Sequence, residues 1–326
     1  MDPLLSVSQL KTYFYTSEGV AKAVDDVSFV LEHGETLGLV GESGCGKSVT
    51  ALSIMRLVDD PPGKIVGGEI RLEGKNILDL PRPEMRQIRG RDISMIFQEP
   101  MTSLNPVFTV GNQISEAIQF HKRMERSEVW HKSIEMLKLV GIPSPERRVQ
   151  DYPHHLSGGM RQRIMIAMAL ACNPKVLIAD EPTTALDVTI QAQIMELMAG
   201  LQAKLKTAIL LITHDLGLVA ETTQRVVVMY LGKVVESAST AALFDEPLHP
   251  YTQGLMRSIP QINEKHSKTR TLWEIPGNVP SLIDLPPGCH FAGRCDRRME
   301  LCAQVPPLLE IKPQHWVRCW LYGQAA

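Results

Sequence analysis

The sequence predicts an α/β fold in which helices cover both faces of a mostly parallel sheet. The first observation is a set of short apolar runs of strand length, at 93–97, 175–180, 208–213 and 225–230. The second is that stretches with helical periodicity separate these runs. Because parallel strands need crossover connections and are buried on both faces, this alternation favours a parallel sheet.

The bulk properties are those of an ordinary globular protein. The chain has 326 residues, 44% of them hydrophobic and 21% charged, with a formal net charge of −2. This length accommodates two or more structural units, and the charge does not indicate a nucleic-acid-binding protein. No basic-then-apolar leader is present, so secretion is not expected. The apolar run 164–172 is too short to cross a bilayer, so we expect any work at a membrane to depend on a partner.

The N-terminal residues 4–33 alternate apolar and polar positions on either side of a turn-rich segment at 16–19. This pattern predicts an antiparallel pair of strands. Tyr13, Phe14 and Tyr15 form an aromatic group there, for which packing on a sheet edge and stacking on a base are both open.

Residues 35–57 are predicted to form a strand, a glycine-rich turn and a helix. Gly41, Gly46, Lys47 and Ser48 fit the phosphate-loop pattern G-x-x-x-x-G-K-[ST]. Glycines let several backbone N–H groups converge on one anion, and the helix N-terminus adds its positive end. We expect Lys47 to reach the terminal phosphates and Ser48 to place its hydroxyl on Mg²⁺. The sequence therefore predicts a nucleoside triphosphate site.

The middle of the chain predicts a helical insertion within the α/β domain. A strand is expected at 68–72, and Gln98 directly follows the apolar strand 93–97. The composition then changes to Pro, Thr and Asn, followed by amphipathic stretches at 110–123 and 128–140. Their apolar spacing is that of helices.

A later apolar strand ends in two acids, Asp180 and Glu181. The carboxyl ends of strands are where ligands bind in open α/β folds. Asp180 is expected to hold Mg²⁺, directly or through water, and Glu181 to accept a proton from the attacking water or to orient it. An acidic pair at a strand end is often only a surface feature, but its place downstream of a phosphate loop favours the catalytic interpretation. The next strand, 208–213, ends at His214.

Between these motifs, residues 156–163 read Leu-Ser-Gly-Gly-Met-Arg-Gln-Arg and open a helix. This segment resembles the signature of ABC transporter ATP-binding subunits, and it stands between the phosphate loop and the acidic strand as in that family. The resemblance implies a P-loop NTPase (RecA-like) core with an antiparallel β subdomain, a helical subdomain inserted at about 99–160, and a small cysteine-containing C-terminal extension. It divides the chain into a nucleotide-binding domain at 1–260 and an extension at 261–326.

The resemblance also implies catalytic roles. Glu181 is the expected base, Gln98 senses Mg²⁺ and the attacking water, and His214 contacts the γ-phosphate as a switch. Ser48, Gln98 and Asp180 are the expected Mg²⁺ ligands.

The same resemblance implies how two subunits share ATP. Ser157, Gly158 and Gly159 are expected to cap the γ-phosphate held by an opposite subunit, with hydroxyl, N–H groups and helix N-terminus aimed at the anion. Two ATP molecules would lie between two subunits arranged head to tail. Asp187 is expected to lie in the loop that couples one subunit to the other. Phe14 is the expected adenine-stacking residue. The remaining predicted ATP-binding positions are Ser43, Gly44, Cys45 and Val49.

Cys45 stands where close relatives of this family usually have serine. The position contributes mainly backbone, so we expect ATP binding to be retained, with sensitivity to thiol reagents. Cys172, at the end of the helix that the signature opens, is expected to be a core cysteine.

Segments 97–106, 183–192 and 249–252 resemble the dipeptide and oligopeptide import branch of the family. Four of the six cysteines lie in the tail, separated by five, six and sixteen residues. Structural zinc sites usually pair their ligands more closely, so spacing alone leaves the metal open. These cysteines are Cys289, Cys295, Cys302 and Cys319.

In the peptide-import branch a similar tail carries a four-iron–four-sulfur (4Fe–4S) cluster on four cysteines, and thiolate ligation suits such a cluster. The resemblance therefore implies a 4Fe–4S cluster here, with Zn²⁺ as the first alternative and a pair of disulfides as the second. Arg294, Arg297 and Arg298, beside these cysteines, are expected to lie at the surface.

The resemblance implies the ATPase subunit of a bacterial peptide importer, peripheral on the cytoplasmic face of the inner membrane. The expected partners are a second ATPase subunit in a homo- or heterodimer, two transmembrane permease subunits and, indirectly, an extracytoplasmic peptide-binding protein. No nucleic acid is expected.

Three other functions remain open. One is an importer ATPase for nickel or another small solute. Another is a soluble ABC ATPase of DNA repair or translation, although those proteins usually carry two cassettes or a long coiled coil. The third is a regulator that binds ATP without cleaving it, which Glu181 and His214 argue against.

Overall fold

The computed structural model describes residues 2–98, 103–184, 186–258 and 274–323. The domain boundary expected near 260, and the start of the expected helical insertion at 99, lie outside the described residues. The strands are β1 (Leu5–Thr16), β2 (Gly19–Leu31), β3 (Thr36–Val40), β4 (Gly63–Leu72), β5 (Lys75–Asn76), β6 (Ile93–Ile96), β7 (Val176–Asp180), β8 (Ala208–Thr213), β9 (Arg225–Tyr230), β10 (Lys233–Ser239), β11 (Leu309–Lys312) and β12 (His315–Val317).

Helices connect most of these strands. The α-helices are α1 (Lys47–Ile54), α2 (Arg82–Ile88), α3 (Val110–His121), α4 (Arg126–Leu139), α5 (Pro145–Arg148), α6 (Gly158–Leu170), α7 (Val188–Leu205), α8 (Leu216–Thr222), α9 (Thr240–Asp245) and α10 (Pro250–Arg257). Short 3₁₀ turns occur at Pro153–His155, Glu300–Ala303 and Trp320–Tyr322. No helix in the described ranges is long and apolar enough to cross a membrane.

The internal contacts of the chain divide it into two compact units. The helical unit comprises residues 1–5, 31–36 and 75–212. The strand unit comprises residues 6–30, 37–74 and 213–326. Both units are therefore assembled from segments that are distant in sequence.

In the helical unit, β6, β7 and β8 lie side by side and run parallel. Every residue of these three strands is buried, as their largely apolar sequences predict for a sheet covered on both faces. The predicted helices at 110–123 and 128–140 are confirmed as α3 and α4. Thr109 caps α3 by accepting a hydrogen bond from the N–H of Asn112, and Glu125 and Glu128 form a capping box at the start of α4.

In the strand unit, β2, β1 and β4 are neighbours in one sheet. Because only two residues join β1 to β2, these strands form an antiparallel hairpin, as the sequence pattern predicts. In the other sheet of this unit, β3 runs parallel to β9, with Leu37 opposite Arg225 and Val40 opposite Val228.

One edge of this sheet has antiparallel strands that the sequence pattern does not reveal, and two of them, β11 and β12, belong to the tail. Next to β9 follow β10, β12 and β11, each antiparallel to its neighbour. Arg318 fixes this end of the tail, because its guanidinium donates to the Val234 carbonyl and to the Asp26 carboxylate. The described part of the tail thus belongs to the same compact unit as residues 37–74.

Candidate nucleotide site

The phosphate loop connects β3 to α1 within the strand unit. Gly41 and Gly46 have φ angles of 152° and 105°, which L side chains rarely adopt. A Cβ at Gly41 would also overlap the carbonyl oxygen of Met229, and one at Gly46 the carbonyl oxygen of Ala23. Both positions of the motif therefore require glycine.

Lys47 is buried at the start of α1. Its ammonium donates to the carbonyl oxygens of Gly41 at 2.8 Å and Glu42 at 3.1 Å. The lysine side chain thus folds back along the curled loop, with Ser48 next to it in the first turn of α1. A positive charge at a helix N-terminus within a glycine-rich curl is the arrangement that binds phosphate.

Cys45, the fifth residue of the phosphate loop, is 1% exposed. Burial raises the pKa of its thiol, although the neighbouring Lys47 ammonium lowers it. A buried thiol with a raised pKa reacts slowly, because the thiolate is the reactive form. The expected sensitivity to thiol reagents is therefore not supported by the position of this side chain.

The aromatic group of β1 divides into three environments. The Tyr13 hydroxyl donates to the Asp25 carboxylate at 2.8 Å, and burial together with this contact raises the pKa of Tyr13 to about 12. Phe14 is half-buried and its ring packs against Gly63, whereas Tyr15 is exposed. The adenine-stacking role of Phe14 stays a prediction.

The acidic pair lies at the end of β7 in the helical unit. Asp180 is the last residue of the strand and is buried, and Glu181 follows with a φ of 47°. The Glu181 carboxylate accepts hydrogen bonds from the Gln98 amide at 2.8 Å and the Thr184 hydroxyl at 2.9 Å. The structure thus brings together two predicted catalytic residues that are distant in sequence. No pattern in the sequence indicates the contact of Thr184.

The signature segment begins α6 in the same unit. Ser157 caps the helix by accepting from the N–H of Met160, and Gly158 and Gly159 are the first helical residues. The Gln162 amide donates to the carbonyl oxygen of Pro182, directly after Glu181. The signature helix and the acidic turn are therefore joined by a buried hydrogen bond.

Asp187 begins α7 as its N-cap, accepting from the N–H of Ile190 at 2.9 Å. His214 is exposed and follows β8. The phosphate loop and His214 belong to the strand unit, and the other predicted catalytic and signature residues belong to the helical unit.

Glu42, the second residue of the phosphate loop, has partners that sequence reasoning missed. Its N–H donates to the Tyr251 hydroxyl oxygen at 2.8 Å. Its carboxylate accepts two hydrogen bonds from Arg294, at 2.7 and 3.1 Å. The Arg294 side chain is 6% exposed, so the expectation that the tail arginines lie at the surface is wrong for this residue. A sequence separation of 252 residues leaves no signal for such a pair.

The charge of Arg294 is stabilised by its surroundings. Burial would lower the pKa of the guanidinium, but the hydrogen bonds to Glu42 and Tyr230 raise it above the ordinary value. Burial raises the pKa of Tyr251, so its hydroxyl stays neutral where it meets the loop.

All six cysteines are free thiols, so the disulfide alternative is wrong for this structure. The four tail cysteines line one small cavity, with Phe291 and Trp320 among its walls. Burial, and then the other three thiols, raises the pKa of Cys319 to about 11. Among the described residues, no group of three or more His, Cys, Asp or Glu side chains is gathered as a metal site would gather them.

Sequence comparisons identify two family regions. Residues 24–184 match the sequence model of the family described as ABC transporter. Residues 235–302 match that of the oligopeptide/dipeptide transporter C-terminal region. The second match includes Cys289, Cys295 and Cys302, whereas Cys319 lies beyond it.

Individual relatives match over almost the whole chain. A probable peptide ABC transporter ATP-binding protein of Sinorhizobium fredii is 56% identical over 98% of this chain and 95% of its own length. The oligopeptide transport ATP-binding protein AppD of Bacillus subtilis is 54% identical over 99% of this chain and 98% of its own. The dipeptide transport ATP-binding protein DppD of the same bacterium is 51% identical over 100% of this chain and 97% of its own.

Solved structures give the same fold. The ATP-binding cassette MJ0796, in a dimeric post-hydrolysis state with ADP and phosphate, has a TM-score of 0.65 at 28% identity. The match covers 72% of this chain and 98% of that one. The protein cbiO1 of Clostridium perfringens, part of an ABC transporter complex, has a TM-score of 0.64 at 28% identity over 76% of this chain and 92% of its own.

Proposed function

Because this chain belongs to the ABC transporter family as one of its ATP-binding subunits, we propose that it powers an importer of dipeptides and oligopeptides. Its enzymatic activity is ATP hydrolysis coupled to transport. The cargo is the proposed part. The observation that carries it is the match of residues 235–302 to the C-terminal region of oligopeptide and dipeptide transporters, in a region outside the ATP-binding motifs.

In the proposed reaction Glu181 is the base that takes a proton from the attacking water. The Gln98 amide and the Thr184 hydroxyl hold its carboxylate by two hydrogen bonds, which fix the orientation of the proposed base. His214 is proposed to contact the γ-phosphate, and Phe14 to stack on adenine.

The phosphates of ATP are proposed to bind along residues 41–49, with Lys47 against the terminal groups. Ser48, Asp180 and Gln98 would hold Mg²⁺, which prefers oxygen ligands such as a hydroxyl, a carboxylate and an amide oxygen. The ion would neutralise charge on the phosphates during transfer. The position of Asp180 at the carboxyl end of β7 supports this set, because ligands in α/β folds bind at that edge of the sheet.

We further propose a head-to-tail dimer in which Ser157, Gly158 and Gly159 of one subunit meet the γ-phosphate bound by the other. Support comes from the N-terminus of α6, where Ser157 caps the helix and both Ser157 and Gly158 are exposed. Asp187 would couple the subunits. The partner in this dimer would be a second ATPase subunit, identical or different. The dimer would lie on the cytoplasmic face of the inner membrane and drive two permease subunits there. An extracytoplasmic peptide-binding protein would be an indirect partner.

The tail from about 261 is proposed to extend a nucleotide-binding domain at 1–260 and to hold a 4Fe–4S cluster. The four thiols line a single cavity, which His249 also lines, and four thiolate ligands suit such a cluster. Zn²⁺ is the alternative, since it also binds four thiolates. Binding of either the cluster or Zn²⁺ would require the four thiols to lose their protons.

The test of the transport function is uptake by the reconstituted importer. The chain would be combined with a permease pair and a peptide-binding protein, in vesicles that enclose ATP. Uptake of a labelled dipeptide or tetrapeptide, but not of nickel ions, is expected, and the Glu181→Gln variant should abolish it. Nickel uptake without peptide uptake would replace the proposed cargo while leaving the ATPase activity in place.

A further inference from the structure

Every polar group of Glu42 in the phosphate loop is engaged. Its N–H donates to the Tyr251 hydroxyl oxygen, its carbonyl accepts from the Lys47 ammonium, and its carboxylate accepts from Arg294. Glu42 therefore contacts Lys47 within the loop and is bound at the same time by Arg294 of the tail.

The arginine that reaches Glu42 is itself fixed in place. Its Nε donates to the carbonyl oxygen of Pro276 at 3.0 Å, and one terminal nitrogen donates to that of Ile275 at 3.3 Å. The guanidinium lies 5.9 Å from the centre of the Tyr230 ring, within the range of cation–π contacts. A guanidinium that is held in this way and almost fully buried binds a carboxylate through two parallel hydrogen bonds as well as by charge attraction.

A carboxylate in a phosphate loop is unfavourable for a ligand that carries several negative charges. At short range such repulsion is only partly screened, since the loop is half-buried. The bidentate pair with Arg294 neutralises the carboxylate and keeps it turned toward the tail. Without the arginine, Glu42 would keep its charge and lose its anchor beside the phosphates.

We propose that Arg294 is a positioning residue of the ATP site, which the tail supplies to neutralise and orient Glu42. The tail thereby takes part in setting ATP affinity, in addition to any metal it holds. The inference rests on the proposed phosphate-binding role of residues 41–49. It does not depend on the identity of the cargo or on the metal.

The test is a double-mutant cycle on the full-length protein, with the dissociation constant of Mg·ATP measured by calorimetry. Arg294→Ala should weaken ATP binding about tenfold, the size of one incompletely screened charge interaction. Arg294→Lys should weaken it less, since it keeps the charge but loses the fork. Glu42→Gln, measured alone, completes the cycle, and the double variant Arg294→Ala with Glu42→Gln should regain most of the lost affinity.

Two comparisons separate this role from a purely structural one. Loss of this partly buried ion pair lowers the unfolding midpoint of both single variants, but a structural role alone would not restore ATP affinity in the double variant. Arg298→Ala removes the same charge from an exposed position of the same tail and should leave the dissociation constant unchanged. An Arg294→Ala variant that binds ATP within about twofold of the parent would overturn the proposal, as would a double variant no tighter than Arg294→Ala.

A failure of the underlying phosphate site is recognisable separately. Lys47→Ala should abolish ATP binding whatever the state of Arg294. If Lys47→Ala binds ATP like the parent, the assignment of the loop is wrong, and the positioning role of Arg294 fails with it.

Discussion

Two glycines of the phosphate loop, Gly44 and Gly46, differ in the reason why the position requires glycine. Gly44 and Gly46 both have positive φ angles, 79° and 105°. A Cβ at Gly44 would meet no atom within 4 Å, whereas one at Gly46 would overlap the carbonyl oxygen of Ala23. The backbone conformation is strained by any L residue at either position, but only Gly46 also lacks space.

We therefore expect Gly46→Ala to be much more harmful than Gly44→Ala. The strain of a left-handed alanine costs about 1–2 kcal/mol, which is the full expected loss for Gly44→Ala. The overlap at Gly46 should add to this and displace the loop, with loss of ATP binding. Urea unfolding and ATP calorimetry of the two variants check this pair, and equal losses of stability would show that space is not what selects glycine at Gly46.

At the acidic turn, Glu181→Gln is expected to reduce ATP hydrolysis by at least about 100-fold, the contribution typical of a general base. The amide retains the shape of the side chain, so ATP binding should persist and the nucleotide should remain trapped. The measurement is phosphate release beside ATP retention after rapid gel filtration. Glu196→Gln, an exposed acid of α7, is the matched control, and hydrolysis at the parent rate by the Glu181 variant would refute its role as base.

At the scale of elements, the helix α10 depends on a buried histidine. His249 is its N-cap, and its Nδ1 accepts from the N–H of Tyr251 at 3.0 Å. Burial lowers the pKa of His249 to about 4, although the nearby Glu236 carboxylate and the Arg318 backbone oppose this shift. The same helix positions Tyr251 against Glu42, so the cap supports an element of the phosphate loop.

The neutral form of His249 is the one that the folded protein stabilises. The contribution of neutral His249 to the free energy of unfolding is therefore complete above pH 6.5, the ordinary pKa of histidine. This contribution is lost as pH falls from 6.5 toward 4. A shift of this size corresponds to roughly 3 kcal/mol. Thermal unfolding between pH 7 and 4 should show a shallower acid decline for His249→Asn, which keeps a capping acceptor, than for the parent.

The control for this prediction is His33→Asn, which alters an exposed histidine and should leave the decline unchanged. If His249→Asn loses stability with acid as steeply as the parent, other groups cause the decline. Glu236 and His315, which share a buried contact of 2.7 Å, would then be the next residues to vary.

At the scale of the whole molecule, the tail and the phosphate loop belong to one compact unit although they are separated by most of the chain. Aromatic rings form part of the core between them, with Tyr230, Tyr251 and Phe291 in mutual contact. Phe291 also lines the cavity of the four cysteines. The same buried cluster therefore borders both the ATP loop and the proposed metal site.

Protein purified without oxygen is expected to contain about four iron and four sulfide ions per chain, with visible absorption. Cys319→Ser should lose them, whereas Cys172→Ser, which alters a cysteine outside the cavity, should retain them. Iron, sulfide and zinc analysis of the three proteins is the measurement. Zinc without iron would show that the tail holds a structural zinc site. The absence of any metal would refute the proposed metal site of the tail.

The sequence alone determined the features that depend on local spacing. The glycines and lysine of residues 41–47 are close in sequence, so their pattern directly predicts a phosphate-binding curl. The same holds for the helix that begins within residues 156–163 and for the buried parallel strands, whose largely apolar runs reflect burial on both faces.

Only the tertiary structure decided what the distant parts of the chain do together. The pairing of Glu42 with Arg294, the shared cavity of four widely spaced cysteines and the addition of β12 beside β10 leave no periodic signal in the sequence. The physical reason is that the sequence does not distinguish an arginine that is buried in the fold from one that is exposed. Burial, and with it the strength of a charge pair, is set by the packing of elements from far along the chain.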